Sequence, residues 1–169
     1  MRGRGFSLLE LMAVLLIMAI VAAAVTLRMQ GPLRQSQTAE VIDRIRAFDE
    51  ITRTYARQQD QTLQVMVDMS ANKLGRTNSA GQAVGAGLEL PKGCSFNSVS
   101  LATDRAHGGK ALLVCGNTGY TPTYCLEVQD AQRQRHWLLF AGLSGEMKVY
   151  ESQNAAQQVL AALSGSDAR

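Results

Sequence analysis

Between Leu11 and Leu27 the chain reads LMAVLLIMAIVAAAVTL, with Thr26 as the only polar residue, and Glu10 stands directly before it. An apolar helix with a carboxylate at its edge can occupy few environments. Phe6 to Leu27 spans about 33 Å as helix, enough to cross a hydrocarbon layer of roughly 30 Å. A carboxylate in that layer costs on the order of 2.5–3.5 kcal/mol on insertion scales, so an anchor with no further task gains nothing from Glu10. The residue asks for a cation or a donor beside it. No Lys or Arg lies near it along the helix, but a chain cut between Gly5 and Phe6 would place a free amine four positions before it.

Two other readings of this end stay open. Ala22-Ala23-Ala24 supplies the small residues that a secretory signal needs, and the basic start fits it. An uncut membrane anchor also fits the length. The role of Glu10 has its own alternative, a protonated side chain facing lipid.

The residues carry a resemblance. Arg4-Gly5 followed by Phe6, Glu10 as the fifth residue after the cut, and an unbroken apolar helix resemble the leader of type IV prepilins and type II secretion pseudopilins. The resemblance implies cleavage after Gly5 by a prepilin peptidase on the cytoplasmic side and methylation of Phe6. It also implies pairing of Glu10 with the amine of Phe6 on a neighbouring subunit during assembly. Arg2 and Arg4 stay cytoplasmic under the positive-inside rule, although Arg28 and Arg34 weaken that count.

Beyond the apolar run the chain is polar and nearly neutral, since two of its net three positive charges are Arg2 and Arg4. Nothing global asks for nucleic acid. Gly31-Pro32 predicts a kink or short break in the helix. The helical period then resumes, with Ile42, Ile45, Phe48, Ile51 and Tyr55 as an apolar stripe among charged residues to about position 59. From Leu63 to Met69 the period becomes two, which is a half-buried strand. The Gly-, Ser- and Asn-rich stretch 72–87 reads as a loop, with a short strand at most at Lys73-Leu74. Strands are expected at 95–101, 110–115, 124–128, 136–141 and 146–150, and a short helix at 154–163.

The expected fold class is therefore α+β: a long N-terminal helix, membrane-spanning in its first half, packed on a C-terminal antiparallel β-sheet domain. That order resembles the pilin fold. Ala56-Arg57, the strand 63–69 and the hairpin 138–150 with Gly142 and Gly145 resemble the GspH/FimT family of minor pseudopilins. The division is a cleaved leader at 1–5, a transmembrane and filament-core helix at 6–28, an amphipathic continuation at 29–59, and a periplasmic β-rich domain at 60–169. The implied role is a minor pseudopilin of a type II secretion system in the bacterial inner membrane. The implied partners are other pilin-like subunits, the prepilin peptidase and an inner-membrane assembly platform. The alternative is a minor pilin of a type IV pilus, serving initiation, motility or DNA uptake.

Cys115 and Cys125 flank a loop between two expected strands, and symmetric pairing about Tyr120 would set them opposite each other as a disulfide. Cys94–Cys115 and three reduced thiols are the alternatives. Arg133 and Arg135, with His136 and Trp137, form the one compact basic group of the body. They are a candidate partner or DNA contact, against the plainer reading of a solvated hairpin. No catalytic set, nucleotide loop, zinc spacing or cofactor motif is visible, so neither enzymatic activity, a metal nor a cofactor is expected.

Overall fold

A computed structural model describes residues 8–101 and 104–166, and the side chains of all of these except 9, 24–36 and 164–166. The elements in chain order are α1 (Leu8–Gln58), β1 (Leu63–Asp68), β2 (Lys73–Asn78), β3 (Leu88–Glu89), β4 (Ser95–Leu101), β5 (Arg105–His107), β6 (Lys110–Cys115), β7 (Tyr124–Gln129), β8 (Arg135–Phe140), β9 (Met147–Tyr150) and α2 (Gln153–Ser166). The chain divides into two compact units between Gln37 and Thr38.

In the first unit α1 runs through Gly31 and Pro32 without interruption, so the expected break does not occur there. A proline removes one hydrogen bond, and the turns on either side of it supply the rest. Every described side chain from 8 to 23 is exposed. Leu8 is 79% accessible and Ile17 59%, and Glu10 is the one polar side chain among the described residues 8–23.

The second unit encloses its own core. Val41, Ile45 and Phe48 of α1 pack against Val65, Val67 and Leu74, against Ala111 and Leu113, and against Val99, Leu126, Val128, Leu138 and Phe140. These side chains come from two antiparallel sheets rather than the single sheet expected. One has the order β3-β2-β1-β6 and the other β5-β4-β7-β8-β9. β7, β8 and β9 form a meander. β4 joins its edge with a register shift between Phe96 and Ser98. Tyr124 and Phe140 are register partners and stack with ring centroids 4.7 Å apart.

β7 is buried on both faces because α2 covers part of the far side of its sheet. Ala156 and Leu160 of α2 lie on Cys125 and Leu139, with Trp137 and Tyr150 alongside. The terminal helix is thus longer than expected, at 14 residues. β2 extends the short strand expected at Lys73-Leu74 as far as Asn78, into the stretch read as loop. Its inward positions are Leu74 and Arg76, and the arginine hid the alternation.

Leu138 is fully buried at the centre of the shared core. Leu138→Ala should cost about 2–5 kcal/mol, read as a lower urea midpoint with little change in slope.

Candidate functional site

Three places carry chemistry: the N-terminal turn of α1, a buried polar cluster near the end of that helix, and the hairpin tip between β7 and β8. At the first, Glu10 lies in the opening turn of α1 and is exposed. Gly5 and Phe6 lie outside the described residues, so the cleavage, methylation and pairing expectations concern a neighbourhood the structure leaves out. Among the described residues no helix is long and apolar enough to cross a membrane. The expected span 6–28 includes positions 6, 7, 9 and 24–28, whose side chains are not among those described.

The second place was not anticipated. Asp49 and Arg53 are one turn apart on α1 and form an ion pair of 2.6 Å with both side chains under 10% exposed. Arg53 reaches well beyond its own helix. Its Nη1 donates to the carbonyl of Gly142 at 2.6 Å and to that of Gly119 at 3.3 Å, and its Nη2 donates to Thr121 Oγ1 at 2.6 Å. Asp49 Oδ1 accepts the Tyr124 hydroxyl at 2.9 Å. Burial, and then the charge of Asp49, push the Tyr124 phenol well above its ordinary value, so it stays a donor. One guanidinium thereby joins the helix to the β6–β7 connection and the β8–β9 turn.

The backbone is fitted closely to this cluster. A Cβ on Gly142 would overlap the Thr121 carbonyl and lie 2.9 Å from the Thr123 nitrogen. Sequence reasoning passed over the pair because Asp49 and Arg53 stood among the charged residues assigned to solvent. Their i, i+4 spacing was the available signal. The buried stripe is accordingly Val41, Ile45, Phe48 and Thr52 flanked by this pair, and Ile51, expected inside, is 54% exposed.

A second arginine is buried without a carboxylate bridge to it among the described residues. Arg76 lies 4.5 Å over the Phe48 ring and donates to the Ala86 carbonyl at 2.9 Å. Burial lowers its pKa, and the aromatic face supplies part of the missing stabilisation.

The cysteine expectation fails. All three thiols are free. Cys115 ends β6 in the first sheet, beside Ala56 and Leu63, whereas Cys125 lies on β7 in the second sheet under α2. The connection between them passes from one sheet to the other, so the two strands never become partners. Burial pushes the Cys125 thiol up to about 12 and also raises that of Cys115.

At the hairpin tip Arg133 adopts a left-handed backbone conformation with φ of 64°. Asp130 holds the turn, its Oδ1 accepting from the amides of Gln132 and Gln134. Its Oδ2 accepts from Thr38 of α1 at 3.0 Å and meets His136 Nε2 at 3.1 Å. Burial acts to raise the Asp130 pKa, but the bonds from His136, Gln134, Thr38 and Gln132 outweigh it and the value is lowered. Arg135 is paired with Glu127, and Trp137 packs into the cluster under α2. The four residues therefore do not form one basic, aromatic surface. Among the described residues no group of His, Cys, Asp and Glu side chains could hold a metal ion.

Removing the Arg53 guanidinium would leave Asp49 buried and unpaired. Arg53→Met should cost about 3–5 kcal/mol in denaturant unfolding, whereas Arg44→Met, which breaks an exposed pair with Glu40, should cost under about 1 kcal/mol. The Cys125 thiol is raised on folding, so the stability it contributes is complete below the ordinary thiol value of 9.0 and is lost as pH rises toward about 12. Stability of the parent protein should therefore fall more steeply above pH 9 than that of Cys125→Ala, read as thermal midpoints across the alkaline range.

Comparisons with known proteins give one family-model match and a likeness of fold. Residues 1–26 match the family model of the prokaryotic N-terminal methylation motif. No curated protein matches the chain. Among solved structures, the minor pseudopilin EpsH from the type 2 secretion system of Vibrio cholerae is similar over 67% of this chain and 94% of its own, with 11% identity and a TM-score of 0.52. A crystal structure of EpsH from the same organism covers 69% of this chain and 94% of its own, with 13% identity and a TM-score of 0.45. The chain therefore joins a prokaryotic N-terminal methylation motif to an α+β pilin-like fold of the kind seen in a minor pseudopilin.

Proposed function

We propose that this protein is a minor pseudopilin of a type II protein secretion system, a structural subunit and not an enzyme. A prepilin peptidase cuts it between Gly5 and Phe6 and methylates Phe6. Residues 6–28 anchor it in the bacterial inner membrane, with the N-terminus cytoplasmic and the β domain periplasmic. An assembly platform in that membrane then moves it into a periplasmic pseudopilus or to its tip, beside other pilin-like subunits.

The observation that carries this reading is the first unit of α1. Its described residues 8–23 are apolar and exposed around the whole circumference, with Glu10 as the one carboxylate. Such a helix has no stable place in water and needs lipid or other apolar helices around it. In either environment the Glu10 carboxylate is costly alone, and much less so beside the freed amine of Phe6 on a neighbouring subunit. Each arriving subunit would remove one penalty and fix one axial register. The methylation-motif match over residues 1–26 supports the processing, and the fold shared with EpsH supports the choice of a minor secretion subunit over a type IV pilus component.

Two variants test the two steps separately. Gly5→Val should leave a precursor that begins at Met1 when the intact mass is measured, while the parent begins at a methylated Phe6. Glu10→Ala should be processed and inserted normally yet enter filaments poorly, seen as loss of crosslinks between subunits. Normal crosslinking of processed Glu10→Ala would refute the pairing role.

A further inference from the structure

The far side of the second sheet is divided. α2 covers Cys125 and Leu139, but the region beside its first residue, Gln153, is open. There a polar row crosses the strands. His107 of β5 is the register partner of Ser98 of β4, Ser98 is the partner of Glu127 of β7, and Arg135 of β8 reaches Glu127 from the other side. An open cleft of about 520 Å³ lies along this row, with Arg105, His107, Glu127, Arg135 and Gln153 in its lining.

The charges in the cleft do not balance. Glu127 is 5% exposed, and its Oε2 accepts from Ser98 Oγ at 2.8 Å and from Arg105 Nη2 at 3.2 Å, while Oε1 lies 3.4 Å from Arg135 Nη1. One carboxylate thus faces two guanidiniums. Arg105 Nε is buried without an acceptor. Arg135 is 57% exposed and meets Glu127 through one long contact, although a guanidinium carries five N–H donors. The amino end of α2 adds partial positive charge at Gln153.

We infer that this cleft docks an acidic segment of a partner protein, whose carboxylates take the open donors of Arg135, with the positive charge of Arg105 beside them. Guanidinium and carboxylate form paired, charge-assisted hydrogen bonds, and Glu127 already holds Arg105 in place beside them. A nucleic acid fits less well. The buried Glu127 opposes a continuous phosphate track, and Trp137, on the same face, is partly buried against the cluster under α2, which limits the ring surface left for stacking. The inference rests on the cleft alone and is independent of leader processing and assembly.

The test uses the full chain in detergent micelles and a fluorescent peptide of alternating Glu and Ser, followed by anisotropy. Saturable binding is expected at low salt, weakening strongly by about 0.5 M salt as screening shortens the reach of the charges. Arg135→Gln/His107→Gln should bind about tenfold more weakly, a loss of about 1.4 kcal/mol. Its thermal midpoint should stay within a few degrees of the parent's, because Ser98 and Arg105 still hold the Glu127 carboxylate. Lys148→Gln, an exposed change on β9, should bind like the parent. Absence of binding, equal affinity in the double variant, equal binding of a Gln-Ser peptide, or preference for a single-stranded oligonucleotide would each overturn the inference.

Discussion

The domain is held together where α1 meets two loops that have no regular partner of their own. Arg53 donates to carbonyls at Gly119 and Gly142 and to the Thr121 hydroxyl, while Asp49 neutralises it and takes the Tyr124 hydroxyl. A buried ion pair is weak support for a fold by itself, because desolvation offsets much of the Coulomb attraction. Here the guanidinium does what an apolar side chain could not. It satisfies the buried carbonyl of Gly119 and strengthens the hold on that of Gly142, which otherwise has only a long bond from the Thr121 amide. The two sheets can share one core because the connection between them, 116–123, is held against the helix at this point.

That arrangement explains which parts of the sequence could be read directly. Strands whose inward residues are all apolar were legible: β4 and β6 match the expected ranges, and β1 does so within one residue. β2 was legible only at its start, because Arg76 occupies an inward position and is accommodated by the Phe48 ring, a long-range contact that no local period reveals. β5 was lost in a Gly-rich stretch and exists because β4 offers it an edge. The division into two sheets was equally hidden, since pairing of β1 with β6 spans about forty residues of intervening chain.

The candidate sites show the same contrast. The N-terminal methylation motif was legible because a charge beside an apolar run is conspicuous without any tertiary knowledge. The cysteines misled for the opposite reason: loop symmetry suggested partners, while sheet assignment put them on different layers. The hairpin arginines also looked like one group in sequence. In the fold Arg135 turns to Glu127 across the sheet, and Arg133 sits in the turn that Asp130 organises. Charge clusters along a chain and charge clusters in space are different objects, and here the left-handed turn at Arg133 and the cross-strand pairing of Arg135 separate them.

The segment of α1 inside the domain is gripped at both ends. Thr38 bonds to Asp130 at its start, and Arg53 bonds to two loops near its finish, with the apolar contacts of Val41, Ile45 and Phe48 between. Those grips are about 22 Å apart along the axis. Traction along the helix would load the polar grips and the interlocked apolar side chains together, in shear, instead of peeling them off one after another. A rod seated in this way transmits tension to the body it carries, and the body resists being stripped from its shaft.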